Sequence, residues 1–223
     1  MELTDVMRTT FSAREFTDRP VPDEVLYGLL DVARFAPNGG NRQGWSVVIV
    51  RDRATQEAVA RAGEAGARRY GAQRAAGENP WNSVIPTQLS DETIAQTRVP
   101  ATLIQPLIDA PALLVVCVDL RVVASMDQYL ERVGIISGAS VYPFAWNILL
   151  AARNAGLGGT ITTVAISDEP TVKRVLGVPD HVAVCALLPL GYPVRQLTKL
   201  RRAPVESFTH LGRWGGGSLA RPH

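Results

Sequence analysis

Apolar residues fall along the chain in two rhythms. Val25, Leu26, Leu29, Leu30 and Ala33 recur at helical spacing behind Pro22-Asp23-Glu24. Proline suits a first helical turn and the two acids favour its positive end, so this stretch predicts a helix, closed by Pro37. Trp45–Val50, Ala112–Asp119 and His181–Leu190 are short, nearly unbroken apolar runs and predict three strands. A short helix is expected over Asp5–Thr10, capped by Thr4, with Leu3, Val6, Met7 and Phe11 on one side. Thr55–Ala76, rich in Ala, Arg and Glu, predicts a helix whose Arg61, Arg68, Arg69 and Arg74 are mostly solvated. Ile161–Ala165 reads as extended and Asp168–Leu176 as a further short helix.

Val133–Ala152 is the most apolar stretch. Ser137, Ser140, Pro143 and Asn147 interrupt it, whereas a membrane span needs about 20 predominantly apolar residues. It therefore predicts a buried helix, ending at Asn154-Ala155-Gly156, where glycine fits a left-handed cap. Apolar side chains surround most of this helix, and one chain can cover only one side. Small residues (Gly134, Gly138, Ala139, Ala145) would admit a partner helix, so a two-fold dimer with this helix near the axis is expected. Between Gly77 and Pro111, Pro80, Pro86, Pro100 and Pro106 break the pattern, and residues 64–108 read as a variable lid or binding loop. Strands separated by helices indicate α+β or α/β, and 223 residues fit one domain over 1–223 with a C-terminal arm over 194–223.

Charge changes the picture little: 23 Lys+Arg against 21 Asp+Glu gives +2, which argues against a dedicated nucleic-acid binder. Lysine supplies only Lys173 and Lys199, so the cations are almost all arginine, suited to fixed anion recognition. Cys117 and Cys185 lie in strand-like runs with no CxxC and read as reduced thiols of a cytoplasmic protein. The opening MELTDVMRTTF has no long apolar core and does not read as a signal peptide.

The usual catalytic arrangements are missing from the sequence. His181, His210 and His223 show no metal-ligand spacing, and no G-x-S-x-G elbow, P-loop or post-strand G-x-G-x-x-G occurs. Gly156-Leu157-Gly158-Gly159 follows a helix and precedes a strand, the reverse of what a dinucleotide fingerprint requires. A large core with many loop glycines and no reactive side-chain constellation fits a cofactor carrier. Four segments then matter jointly. Ser12-Ala13-Arg14 offers a hydroxyl and a guanidinium that can reach a phosphate or ring carbonyl, though alone it reads as a cap and a surface arginine. Ala36–Trp45 offers glycines and amides to a flat ligand, or is a plain helix-to-strand loop. Gly156–Thr163 offers backbone N–H groups, or is a helix cap leading into a strand. Lys199–Glu206, with Phe208, His210, Arg213 and Trp214, offers cations, or is a solvated tail.

Taken together and in order, these segments resemble the nitroreductase family of FMN-dependent oxidoreductases. The resemblance is carried by Phe11-Ser12-Ala13-Arg14, by Pro37-Asn38-Gly39-Gly40-Asn41-Arg42-Gln43-Gly44-Trp45, by Gly156-Leu157-Gly158, and by Arg201-Arg202-Ala203-Pro204-Val205-Glu206. It covers residues 8–53 and 110–214. It implies an α+β, three-layer α/β/α sandwich with a mainly antiparallel central sheet, in an intertwined homodimer sharing two FMN sites.

By the same resemblance Ser12 helps hold the phosphate, Ala13 belongs to the cofactor-binding set, and Arg14 lies towards the ribityl chain and the pyrimidine edge. Pro37, Asn38, Gly39 and Asn41 come from the other subunit, and Thr160, Ile161, Thr162 and Thr163 lie along the flavin. The backbone N–H groups of Thr162 and Thr163 fall at the N5 region. Thr10 and Phe11 replace residues that are basic in the family, so Arg201, Arg202 or Arg213 is expected to supply the missing phosphate cation. The implied activity is two-electron transfer from NADPH or NADH, through flavin N5, to a small nitroaromatic or quinone-like acceptor, with no protein acid required. Alternatives are a same-fold FMN enzyme that dehalogenates, oxidises a ring or cleaves flavin, and a flavin-sequestering protein without turnover.

Overall fold

The protein, described here over residues 1–221 by a computed structural model, begins with α1 (Leu3–Thr9) and α2 (Asp23–Ala33), followed by β1 (Trp45–Val50). Four helices come next: α3 (Arg53–Ala62), α4 (Glu64–Ala75), α5 (Asp91–Gln96) and α6 (Ala101–Asp109). Then come β2 (Ala112–Asp119), α7 (Tyr142–Asn154), β3 (Gly158–Gly159), α8 (Glu169–Leu176) and β4 (Val182–Gly191). The strands form one antiparallel sheet in the order β1-β2-β4-β3.

Helices cover both faces of this sheet, which explains why β2 reads as a continuous apolar run and is buried over Ala112–Val118. Leu114, Val116 and Val118 pack with α2 and α7, while Leu113, Val115 and Cys117 pack with α3, α6 and α8. Opposite them the register slips: Val116 pairs with Ala186 but Cys117 with Val184, leaving Cys185 as an extra residue. The bulge lets Val184 and Ala186 serve opposite cores, although they lie two apart. Both thiols are free, and burial pushes Cys117 up to about 11 and Cys185 up to about 12, so both stay protonated and inert.

β1 and β2 have the predicted bounds, and β4 begins one residue late and ends one residue later. α1 starts at Leu3 behind Glu2, without the expected Thr4 side-chain cap. The Thr55–Ala76 helix is two helices, α3 capped by the Asp52 carboxylate accepting from Thr55 N at 2.8 Å, and α4 beyond Gly63. Arg68 and Arg69 are not free in solvent. Arg68 Nη1 donates to Ala95 O and Thr97 O at 3.1 Å, and Arg69 lies over the Trp81 ring. The segment read as irregular contains α5 and α6, with Pro106 inside α6. Within Ile161–Ala165 a single antiparallel bridge, Thr162 to Leu187, precedes a 3₁₀ turn over Val164–Asp168.

The largest departure concerns Val133–Ala152. Its helix begins at Tyr142, with Pro143 in the first turn as a helix start prefers, and Val133, Ile135 and Ile136 are exposed in the preceding loop. That loop is fixed by Asp127, whose buried carboxylate accepts from Ile135 N and from Arg132 Nη1, both at 2.7 Å. The Ile135 amide and the Arg132 guanidinium together hold the carboxyl down to about 2. α7 buries Phe144, Ala145, Ile148, Leu149 and Ala152 within its own chain, while Tyr142 and Trp146 stay substantially exposed. Gly156 takes the expected left-handed turn at φ +80°. Among the described residues, no helix is long and apolar enough to cross a membrane.

Candidate functional site

The site is assembled where the chain after α1 runs against the strand that follows α7. Ser12 forms a parallel bridge with Gly159, and Ala13 N donates to Gly159 O at 3.0 Å. Glycine is required for this approach: a Cβ on Gly158 would stand 2.8 Å from the Ala13 Cβ, and one on Gly159 would overlap Leu190 Cδ2. The Ser-Ala-Arg and Gly-Leu-Gly-Gly segments thus become one surface. β4 then turns at Tyr192-Pro193 and returns along residues 15–17, with Val194 N donating to Glu15 O and Thr17 N to Tyr192 O. Gln196 Nε2 ties this return to Thr9 O at 3.2 Å.

Two cavities open here, and Arg14 lines both. The smaller, about 230 Å3, is bounded by Phe11, Ser12, Ala13, Glu15, Arg195 and Leu197. The larger, about 580 Å3, runs from Arg14 along Ile161–Val164 to Tyr70, Pro80, Trp81 and Leu103 of the 64–108 segment. Arg14 is exposed, and its intrachain hydrogen bond is a long one, Nη1 to Ser12 O at 3.4 Å. Its remaining donors are available to a ligand. The small cavity offers a hydroxyl and two guanidiniums, a donor set suited to a phosphate, beside one carboxylate, Glu15. The large one offers aromatic and aliphatic walls with backbone along one side, suited to a flat ring.

The sequence-derived candidates separate in this frame. Ser12, Ala13, Arg14, Ile161, Thr162 and Thr163 border the two cavities, whereas Thr160 is buried and borders neither. Thr162 N donates to Leu187 O at 2.9 Å, so it has no free donor for a ligand. Thr163 N has no partner among the described residues and is the free donor of the pair. The loop of Pro37, Asn38, Gly39 and Asn41 lines neither cavity of its own chain. It packs beside the 136–140 turn, Gly39 N donating to Ser140 Oγ at 3.2 Å. Asn38 Oδ1 accepts from Gln43 N at 2.8 Å and holds a run in which Gly40, Asn41 and Gln43 all have positive φ. Trp45 is partly buried against the core, its ring stacked on Phe144 at 4.8 Å.

Arg201, Arg202 and Arg213 are exposed on the arm and line neither cavity. The second cation beside Ser12 is Arg195, which the sequence reading missed. The available signal was the Gly191-Tyr192-Pro193 break immediately before it, which turns the chain back along residues 15–17.

The sheet and its two helical layers form a fold shared with solved structures of flavoproteins. Aligned structures include a BluB-like flavoprotein from Clostridium difficile 630, with TM-score 0.72 and 21% identity over 96% of this chain and 100% of the other. They also include oxidized iodotyrosine deiodinase bound to FMN and 3-iodo-L-tyrosine, with TM-score 0.66 and 24% identity over 92% and 96% of the two chains. Residues 7–192 match the nitroreductase family, and the chain belongs to it. The iodotyrosine dehalogenase 1 homolog of Caenorhabditis elegans is 33% identical over 92% of this chain, which spans 59% of that relative's length. An NADH dehydrogenase of Thermus thermophilus is 31% identical over 87% of this chain and 88% of its own.

Proposed function

We propose that this protein is an FMN-dependent oxidoreductase that passes two electrons from NADH or NADPH to a small, flat aromatic acceptor such as a nitroaromatic or a quinone. The observation that carries the reading is Arg14, placed between a small cavity lined by two guanidiniums and a hydroxyl and a larger one with aromatic and aliphatic walls. Bound FMN would supply the two-electron chemistry. The chain's own residues bind and orient it. Ser12 Oγ, Arg195 and Arg14 take the phosphate end, and Arg14 also reaches the electron-accepting ring, where a cation favours added negative charge. Thr163 N would donate to a ring heteroatom. No side chain here need move a proton.

The loop of Pro37, Asn38, Gly39 and Asn41 would complete the site of a partner subunit, since it lines neither cavity at home. A second copy would also cover Leu3, Met7, Met126, Tyr129 and Trp146, apolar side chains left substantially exposed on one chain. Arg201, Arg202 and Arg213, on the exposed arm, would then approach the partner's flavin.

A second reading, reductive removal of halide from an aromatic ring, is favoured by the relatives named for iodotyrosine. One experiment separates the readings. Protein is purified, its heat-released cofactor identified, and the holoprotein reduced anaerobically with NADH or NADPH before addition of a nitroaromatic, a quinone or 3-iodo-L-tyrosine. FMN reoxidised by the nitroaromatic or quinone is expected. Iodide release from iodotyrosine, with nitroaromatic and quinone inert, would establish the second reading. A cofactor other than FMN, or no uptake of FMN, would remove both.

A further inference from the structure

The lid contains one residue that its backbone would not choose unaided. Trp81 has φ +55°, a left-handed conformation that a bulky side chain rarely adopts, so its neighbours must impose it. Three contacts do so. Trp81 N donates to Gln73 Oε1 at 3.0 Å, and Gln73 is itself a buried polar residue of α4. The indole Nε1 donates to Gly66 O at 3.3 Å. The guanidinium of Arg69 lies 4.8 Å from the ring centroid.

The supporting parts are themselves fixed. A Cβ on Gly66 would overlap the Ser167 hydroxyl, so only glycine lets α4 approach the 164–168 turn there. Glu78, just before Trp81, accepts from the Thr87 hydroxyl at 2.6 Å and from Gln88 N at 2.8 Å, bracing the loop. All this structure leaves the Trp81 side chain about half exposed, at the wall of the large cavity near Tyr70 and Leu103. A tryptophan held for packing alone would be covered. One held in a strained backbone and left open to a cavity is placed to meet a ligand.

We infer that Trp81 is the stacking wall for the acceptor and selects flat aromatic rings over non-planar molecules of equal charge and size. The inference rests on the proposed function, with the flavin ring along the Ile161–Val164 wall of the large cavity and the acceptor in the space between that ring and Trp81. Stacking of paired rings adds enough beyond simple burial to give a preference of about tenfold.

The test uses FMN-loaded protein, Trp81→Leu, which keeps an apolar wall without a ring, and Trp81→Phe, which keeps a ring. Benzoate and cyclohexanecarboxylate, alike in charge and near in size, are titrated calorimetrically. Wild type and Trp81→Phe are expected to prefer benzoate about tenfold, and Trp81→Leu to show no preference. With menadione as acceptor, Trp81→Leu should raise KM about tenfold, with kcat and turnover of ferricyanide, which has no ring to stack, changed less than about twofold. An undiminished benzoate preference in Trp81→Leu, or equal loss with menadione and ferricyanide, would overturn the inference. Absence of NADH and NADPH turnover in wild type would defeat the oxidoreductase reading, while the titration would still judge Trp81.

Discussion

The two cavities that meet at Arg14 are built in opposite ways. The small one is made by chain segments remote in sequence, the turn after α1 and the return after β4, and it offers charge: Arg14 and Arg195 beside the Ser12 hydroxyl. The large one is made mostly from α4, the lid and the 161–167 segment, and it offers ring faces and apolar walls. Directed, charge-assisted contacts favour tight retention of one partner, whereas flat apolar walls accept a class of molecules. On the proposed function, the charged cavity would retain the cofactor's phosphate end while the apolar one leaves the choice of acceptor open.

The most damaging change removes the support both cavities share. Leu149 is buried in α7 and packs toward Gly159, so Leu149→Arg places an unpaired charge in the core, at a cost of about 3–5 kcal/mol. Loss of the cooperative thermal transition is expected. A normal melting curve would show that α7 packs otherwise. Because Leu149 faces its own chain, this variant tests the fold and not the dimer.

Arg14→Ala should come next, since it alone touches both cavities. It should lower FMN affinity and slow flavin reduction, while Arg61→Ala, exposed on α3, should do neither. Titration of apoprotein by flavin fluorescence and stopped-flow reduction read the two effects, and equal behaviour of the two variants would refute the role of Arg14. Arg195→Ala should affect retention only. Removing a charge-assisted contact worth about 1.5–3 kcal/mol weakens FMN binding about ten- to hundredfold, with KM for the acceptor unchanged at saturating FMN. A changed KM would mean that the two cavities do not divide the work.

The smallest effect lies outside both cavities. The folded Asp127 carboxyl sits at about 2, below the roughly 3.9 of an unfolded aspartate, so its contribution is complete above about pH 4. It is lost progressively as pH falls from there towards 2. Hydrogen exchange at Ile135, corrected for intrinsic rates, should quicken over that interval. Protection that persists to pH 2 would show that other contacts hold the loop.

Much of the fold was legible because burial on both sheet faces leaves a plain signal: Ala112–Asp119 could hardly be anything but a central strand. Val133–Ala152 misled for the same reason. Apolar side chains at Val133, Ile135 and Ile136 look like core, yet they are presented outward by a loop pinned on Asp127, and periodicity does not reveal what a buried carboxylate holds in place. Ser12, Arg14 and Thr163 stood out in the sequence because their neighbours form ordered motifs, and the structure brings all three to cavity walls. Arg195 did not, because its position depends on a chain reversal after β4, and Trp81 did not, because a lone aromatic among polar residues carries no local pattern. The 64–108 segment was legible as a break in pattern. Its internal order, through Gln73, Glu78 and Asn82, comes from side chains capping backbone, which composition does not show.

The bridge between Ser12 and Gly159 also sets a schedule. Residues 12–14 leave the ribosome well before the strand after α7 and the return at 193–196, and must wait for both before either cavity exists. Closing so long a loop has an entropic cost that only later contacts repay, and contacts of wide sequence separation form slowly. Synthesis runs from the N-terminus at about 5–20 residues per second, so the surface lining the two cavities is completed only after residues 193–196 have emerged. A cofactor added during translation would find little to bind.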